Sequence, residues 1–252
     1  MRWVFKLRFQ KERYFNKLIA AAPGTHRAAV EVIQRYCNKN ARLLDFGCYE
    51  GAMIARLHDA GFAEVEGTDL TSHFSNAAFP FTQADLNLSF SREFGGKEYD
   101  ALMVSEVIEH LDNPRHFLSE CRAILKEGGI VVVTTPNIAF FEGRIKFLLT
   151  GELWGFGKKN YASQRHITAI SREQFGLLFE ECGYRVLSIF TAASFATPLR
   201  RILTSFIWIP MRFLFGKSVL GESLIVVGTK KSNENSAYSS QSLWGEAALK
   251  IR

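Results

Sequence analysis

Short apolar runs recur along this chain, each closed by glycine, proline or an acid, and stretches with helical apolar spacing separate them. Residues 43–46, 64–69, 81–85, 99–107, 130–135, 184–191 and 223–230 read as seven strands. Residues 26–39 place Val30, Ile33 and Cys37 on one side of a helix, with Thr25 as its N-cap after the break at Pro23-Gly24. Residues 52–60, 114–126 and 171–182 read as further helices, the last opened by Ser171 and stopped by Gly183. Glu127-Gly128-Gly129 turns the chain into the β-branched run 130–135. Such alternation predicts an α/β fold, a doubly wound and mostly parallel seven-stranded sheet with helices on both faces.

Two stretches break the pattern and read as insertions in a core domain spanning residues 26–231. The first, 138–165, holds Phe140, Phe141, Phe147, Leu148, Leu149, Trp154 and Phe156, which suit an apolar lid after the fifth strand or a helix packed on the core. The second, 195–218, surrounds Ile202, Phe206, Ile207, Trp208, Ile209, Phe213 and Phe215 with Arg200, Arg201, Arg212 and Lys217. A basic, aromatic segment suits a membrane surface, a contact between two copies of the chain in a homodimer, or an ordinary core helix. Its apolar run holds Pro210 and Arg212 and is shorter than the about 20 residues a span needs. Residues 1–25 are basic and aromatic, with Trp3, Phe5, Leu7 and Phe9 fitting either an amphipathic helix or an extended segment. Their charges interrupt any apolar core of a signal peptide. The Ser- and Asn-rich tail 232–252 is expected to be mobile.

The sharpest motif is Leu43-Leu44-Asp45-Phe46-Gly47-Cys48-Tyr49-Glu50-Gly51, a strand that ends in a glycine turn and opens a helix. Gly47 lets backbone approach a ligand, and Gly51 lets the helix begin near the strand. Asp69 closes the second strand about 20 residues later, where an acid can accept both hydroxyls of a ribose. Asp85 closes the third, where an acid can accept from an adenine amino group. Three acids at three successive strand ends make a coherent adenosine pocket. A dehydrogenase is the competitor on fold grounds, but the middle glycine of its GxGxxG turn is missing and no Tyr-x-x-x-Lys pair is evident.

In DFGCYEG, EGTDL, ADL, YDALMVSEVIEHL and LKEGGIVVVTTPN the sequence resembles the class I S-adenosylmethionine-dependent methyltransferases, with their Rossmann-like fold, over about residues 26–230. The resemblance implies S-adenosyl-L-methionine as cofactor. Asp45, Gly47 and Gly51 would line its methionine end, Asp69 its ribose, and Asp85 with Leu86 its adenine. Cys48, Leu70, Ser105 and Glu106 complete the expected set. Relatives often carry glycine where this chain has Tyr49.

Glu106, Glu109 and His110 follow the fourth strand and would share one face of a short helical turn. Two carboxylates and an imidazole can hold a divalent ion, with His166 folding back as a fourth group. His110 or His166 can equally serve as general base, or cap and pack locally. The sequence resembles the quinone-biosynthesis O-methyltransferases in SEVIEHL and TTPN. It also resembles the small-RNA 2′-O-methyltransferases, in which a Glu-x-x-Glu-His run and a later histidine hold magnesium or manganese. Glu106, Glu109, His110 and His166 match that set, with Ser171-Arg172-Glu173-Gln174-Phe175 at the expected offset; that family's second histidine and the RNA-binding additions are absent. The resemblance therefore implies a metal site but not an RNA substrate.

Composition adjusts this reading in three ways. With 47% hydrophobic and 22% charged residues the chain can bury a substantial core. About half of its 22 Phe fall between 140 and 215, which points to apolar surface in the insertions. A net charge of +6 suits an anionic partner such as a phosphate-bearing acceptor, a membrane surface or nucleic acid. Cys37, Cys48, Cys121 and Cys182 form no CxxC pair and read as reduced thiols of a cytoplasmic protein, peripheral at the membrane if the basic segments meet lipid. The leading expectation is O-methylation of a hydroxyl on a small-molecule or lipid-linked acceptor of quinone, polyketide or glycan type. The alternatives are a metal-dependent RNA 2′-O-methyltransferase and a non-catalytic binding protein on the same fold.

Overall fold

The computed structural model describes residues 12–72, 79–193 and 198–232, apart from the side chains of 198–200. Residues 1–11 of the basic N-terminal segment, including Trp3, Phe5, Leu7 and Phe9, and the tail beyond 232 lie outside the described residues.

A hairpin of β1 (Arg13–Tyr14) and β2 (Lys17–Leu18) comes first, followed by α1 (Thr25–Tyr36), β3 (Leu43–Phe46), α2 (Ala52–Asp59), β4 (Val65–Asp69) and β5 (Phe81–Gln83). The second half runs β6 (Tyr99–Ser105), α3 (Pro114–Ile124), β7 (Leu125–Pro136), α4 (Phe141–Thr150), α5 (Lys158–Gln164), α6 (Arg172–Glu181), β8 (Tyr184–Ala192), α7 (Pro198–Leu203), α8 (Ser205–Phe215) and β9 (Ser223–Lys230). The seven-stranded sheet has the order β5-β4-β3-β6-β7-β9-β8. Only β9 runs antiparallel to its neighbours, β7 and β8.

Strand alternation divides the core into two layers. Leu44, Phe46, Leu102, Val104, Val131 and Val133 face one side, with Phe117 and Leu118 of α3 and Phe175 and Phe179 of α6. Leu43, Ala101, Met103, Ile130 and Val132 face the other, with Val30 and Ile33 of α1 and Met53 and Leu57 of α2. Chain order reverses between β3 and β6, the switch point at which such sheets open a crevice at their carboxyl ends.

Several boundaries differ from the sequence reading for identifiable reasons. Gly24, at φ 90°, occupies the N-cap of α1, because the Thr25 hydroxyl turns inward and donates to Ser223 Oγ at 2.9 Å. The strand expected to reach residue 107 stops at Ser105, since Glu106 adopts φ 54°. The helix expected to reach residue 126 stops at Ile124, and Leu125 already pairs with Tyr99. Ser171 does cap α6, in a capping box with Gln174, and Gly183 follows at φ 80°.

Segment 138–165 contains α4 and α5, and segment 195–218 contains α7 and α8. They share a small core in which Phe140, Phe141 and Val219 are fully buried. Phe147, Leu148 and Leu149 are exposed, so the apolar residues of the first segment do not form one continuous lid. Among the described residues no helix is long and apolar enough to cross a membrane.

Candidate active site

The glycine turn after β3 is built tightly. A Cβ on Gly47 (φ 63°) would lie 2.6 Å from Val107 Cγ2, and one on Gly51 (φ 77°) 2.7 Å from the Phe79 ring. These glycines thus make room for protein side chains as well as for backbone turns. Tyr49 takes the left-handed region too, at φ 46°. The N-terminal hairpin holds this turn from outside: Leu18 N donates to Glu50 Oε2 at 2.6 Å, and Lys17 Nζ to the Glu50 carbonyl at 2.7 Å. Glu12 anchors the hairpin by accepting from Gly24 N and pairing with Arg56, whose guanidinium lies 4.1 Å over the Tyr14 ring.

Three acids do arrive at adjacent strand ends. Asp45 is buried, and its Oδ2 has no hydrogen-bond partner among the described residues. Burial first, then the charge of Asp69, holds its carboxyl well above the usual range. An orphaned buried carboxylate oxygen is costly alone and fits a site that receives a cationic or hydrogen-bonding ligand group. Asp69 accepts from Tyr49 N through Oδ2 at 3.0 Å. Asp85 accepts from Asn87 N at 3.0 Å. Beside it opens a cavity of about 430 Å³ lined by Leu70, Gln83, Ala84, Asp85, Leu88, Ser89, Phe90 and Glu93. The last four follow the ADL motif directly, a position that could have singled them out.

Two expected cofactor residues turn away. The Cys48 side chain packs against Gly67 and Ile54, leaving only its backbone for a ligand. Leu86 packs in the main core and not among the residues lining the cavity.

At the end of β6, Ser105 is half-buried, with Oγ 3.4 Å from Thr134 Oγ1. The left-handed turn at Glu106 aims its carboxylate at Thr134, whose hydroxyl donates at 2.9 Å, and at the Ser223 hydroxyl. A chain of hydroxyls thus runs from Thr25 through Ser223 to Glu106. Burial raises the Glu106 carboxyl.

A 3-10 turn at Ile108–His110 then presents Glu109, which is fully buried. Thr135 Oγ1 donates to Glu109 Oε2 at 3.1 Å, while Oε1 has no hydrogen-bond partner among the described residues. Its backbone carbonyl accepts from Ile167 N and Thr168 N at 2.9 and 3.0 Å, drawing the segment after α5 across the site. His166 therefore lies against His110, with ring centroids 4.8 Å apart at 79°. His166 Nδ1 is 2.8 Å from the Gly155 carbonyl. A carbonyl only accepts, so Nδ1 carries the proton and Nε2 keeps a lone pair. Burial lowers both histidines from their ordinary values, so both are neutral near pH 7.

One ligand atom each from Glu109, His110 and His166 lie within 4.8 Å of one another. Glu106 is not part of this cluster, because its carboxylate is taken by Thr134 and Ser223. Thr134, Thr135 and Ser223, which orient the two glutamates, were missed by motif reading; the TT pair in TTPN carried the signal.

A family model described as a methyltransferase domain matches residues 13–189. Ubiquinone biosynthesis O-methyltransferase of Cereibacter sphaeroides is 31% identical over 103 residues, 38% of this chain and 41% of that protein. The chain thus spans about two fifths of the length of the curated relatives it matches. A SAM-dependent methyltransferase from Archaeoglobus fulgidus superposes with a TM-score of 0.56 at 20% identity, covering 82% of this chain and 95% of that one. Phosphoethanolamine N-methyltransferase 2 of Haemonchus contortus, solved with S-adenosyl-L-methionine, gives 0.56 at 14% identity over 85% and 54%. These structural likenesses bear on the fold.

Proposed function

Because the chain belongs to the class I S-adenosylmethionine-dependent methyltransferases, through a methyltransferase domain over residues 13–189, we propose that it methylates a hydroxyl oxygen on a small or lipid-linked acceptor. The juxtaposed His110 and His166 carry this reading. When bound, the cofactor supplies an electrophilic methyl group on a sulfonium sulfur. Asp45 offers its orphaned oxygen to the methionine end, Asp69 its carboxylate to the ribose, and Asp85 borders the cavity that suits adenine. In-line displacement needs an acceptor that is oriented and relieved of its proton. The neutral Nε2 of His166 can take that proton, and His110, edge-to-face with it, can serve the same role. A hydroxyl needs such a base more than a thiol does, which favours oxygen as the acceptor. The partial match to a ubiquinone O-methyltransferase supports the same kind of acceptor.

His110→Ala and His166→Ala should lower turnover far more than affinity for S-adenosylhomocysteine. Calorimetry showing lost affinity, with turnover unchanged at saturating cofactor, would sink the assignment.

One observation favours a metal-assisted version. Among the described residues Glu109 Oε1 is buried without a partner beside two imidazoles, a mixed nitrogen and oxygen donor set that suits Mn²⁺ better than the oxygen-seeking Mg²⁺. Glu109, His110 and His166 would hold the ion, which would lower the acceptor hydroxyl's pKa. Full activity after exhaustive chelation rejects this version.

A further inference from the structure

The two insertions bury one side of α8 and leave the other bare. Ile207, Trp208 and Met211 pack on the small core of Phe140, Phe141 and Val219. Phe206, Ile209 and Phe213, at i, i+3 and i+7, lie on the opposite side of the helix. Phe206 is 75% exposed, Phe213 85% and Leu214 75%. The last turn of α4, which packs beside α8, leaves Leu148 83% exposed. Single exposed apolar residues are ordinary on a protein surface, but a stripe on neighbouring elements marks an interaction site.

Charge identifies the occupant. Residues 191–221 contain no Asp or Glu and carry Arg200, Arg201, Arg212 and Lys217. Residues 153–172 also lack acids and carry Lys158, Lys159, Arg165 and Arg172. Cationic groups border the apolar residues: the Arg144 guanidinium lies 4.3 Å over the Phe215 ring, and that of Arg201 lies 5.7 Å over Trp208. Two copies meeting through this face would set cations against cations, which disfavours self-association. At 11 residues, α8 is too short to cross a bilayer and suits lying along one.

We propose that the outer side of α8, with the end of α4, docks on an anionic lipid bilayer. Phe206, Phe213, Leu214 and Leu148 enter the acyl boundary, and Arg201, Arg212 and Lys217 meet headgroup phosphates. Insertion 138–165, which contributes Leu148 to this surface, also supplies Gly155, whose carbonyl holds His166, so it touches both the docking surface and the reacting end. Docking does not depend on which acceptor is methylated.

Flotation of the full chain with phosphatidylcholine vesicles, with and without phosphatidylglycerol, tests this in the absence of acceptor. Binding should require phosphatidylglycerol and weaken as salt is raised. Phe213→Ser with Leu214→Ser should weaken it about tenfold, as should Leu148→Ser with Phe206→Ser on the other part of the patch. Arg212→Glu with Lys217→Glu should abolish it. Since these side chains are exposed, the melting temperature and affinity for S-adenosylhomocysteine should stay unchanged. The proposal is overturned if neither vesicle binds, if the variants bind like the wild type, or if light scattering shows a dimer that the Phe213/Leu214 variant splits.

Discussion

The backbone amide of Tyr49 donates to the carboxylate of Asp69 at 3.0 Å, joining the glycine turn to the end of the next strand. The residue that replaces the family's middle glycine still takes the left-handed backbone, at φ 46°. That conformation costs a non-glycine residue about 1–2 kcal/mol. The Asp69 bond and the hairpin's hold on Glu50 stabilise it. Asp69 thus orders the turn in addition to the ribose contact proposed for it. Asp69→Ala should weaken S-adenosylhomocysteine binding roughly tenfold to a hundredfold, the worth of a charge-assisted hydrogen bond plus a loosened turn. Calorimetry checks this, and unchanged affinity would place the ribose elsewhere.

On backbone terms alone Tyr49→Gly is nearly neutral, within about 1 kcal/mol, because relief of strain offsets the extra entropy of an unfolded glycine, and any larger loss measures the side chain's own contacts. Tyr49→Val should cost about 2 kcal/mol or more, since a β-branched residue tolerates this region least. Chemical unfolding of both variants checks the ordering. A large loss of cofactor affinity shared by both variants, the glycine one included, would show that the Tyr49 ring itself contacts the ligand.

The sheet and its three strand-end acids were legible because alternation, glycine turns and strand length are local signals. What escaped depended on direction or on distant partners. Cys48 and Leu86 sit at motif positions just beyond their strands, yet their side chains are buried in the core. The helical-face argument for residues 106, 109 and 110 assumed continuous helical backbone. The left-handed turn at Glu106 instead sends that carboxylate to Thr134 and Ser223 and leaves Glu109 with the histidines. The hydrogen bond between Thr25 and Ser223 joins the ends of the fold, and no local pattern encodes it. The hairpin on the glycine turn was hidden in a segment whose spacing suited two conformations.

His26 predicts a pH dependence of stability. It is buried in the first turn of α1, and its Nδ1 has no hydrogen-bond partner among the described residues. Burial, with a smaller contribution from Arg56, lowers its pKa from 6.5 to about 3. Between those values the unfolded chain binds the extra proton, so stability is full above about 6.5 and falls as pH drops toward 3. His26→Leu should flatten this dependence. Urea midpoints of both proteins, taken from neutral pH downward, isolate the histidine by difference; parallel curves would refute its neutral burial.

Glu109 offers the sharpest test of the reacting end. Burial first, then the charge of Glu106, holds its carboxyl well above the ordinary range. A raised pKa stabilises the fold below the unfolded value, and that contribution is lost as pH rises through the folded value. Near neutral pH and above, the metal-free chain therefore bears the cost of a buried acid with one orphaned oxygen. Glu109→Gln keeps an oxygen to accept from the Thr135 hydroxyl and removes the charge. Without metal, the variant should be more stable than the wild type by about 1–3 kcal/mol at and above neutral pH, and the gap should shrink in acid. Under the metal-assisted version, Mn²⁺ should raise the wild-type melting temperature and leave the variant unmoved, while turnover falls with the lost ligand. Thermal melts in chelator and in Mn²⁺ separate the two effects. A variant less stable than the wild type in chelator would mean that the charged carboxylate contributes net stability, contrary to the orphaned geometry. Equal Mn²⁺ shifts in both proteins would remove Glu109 from any ion.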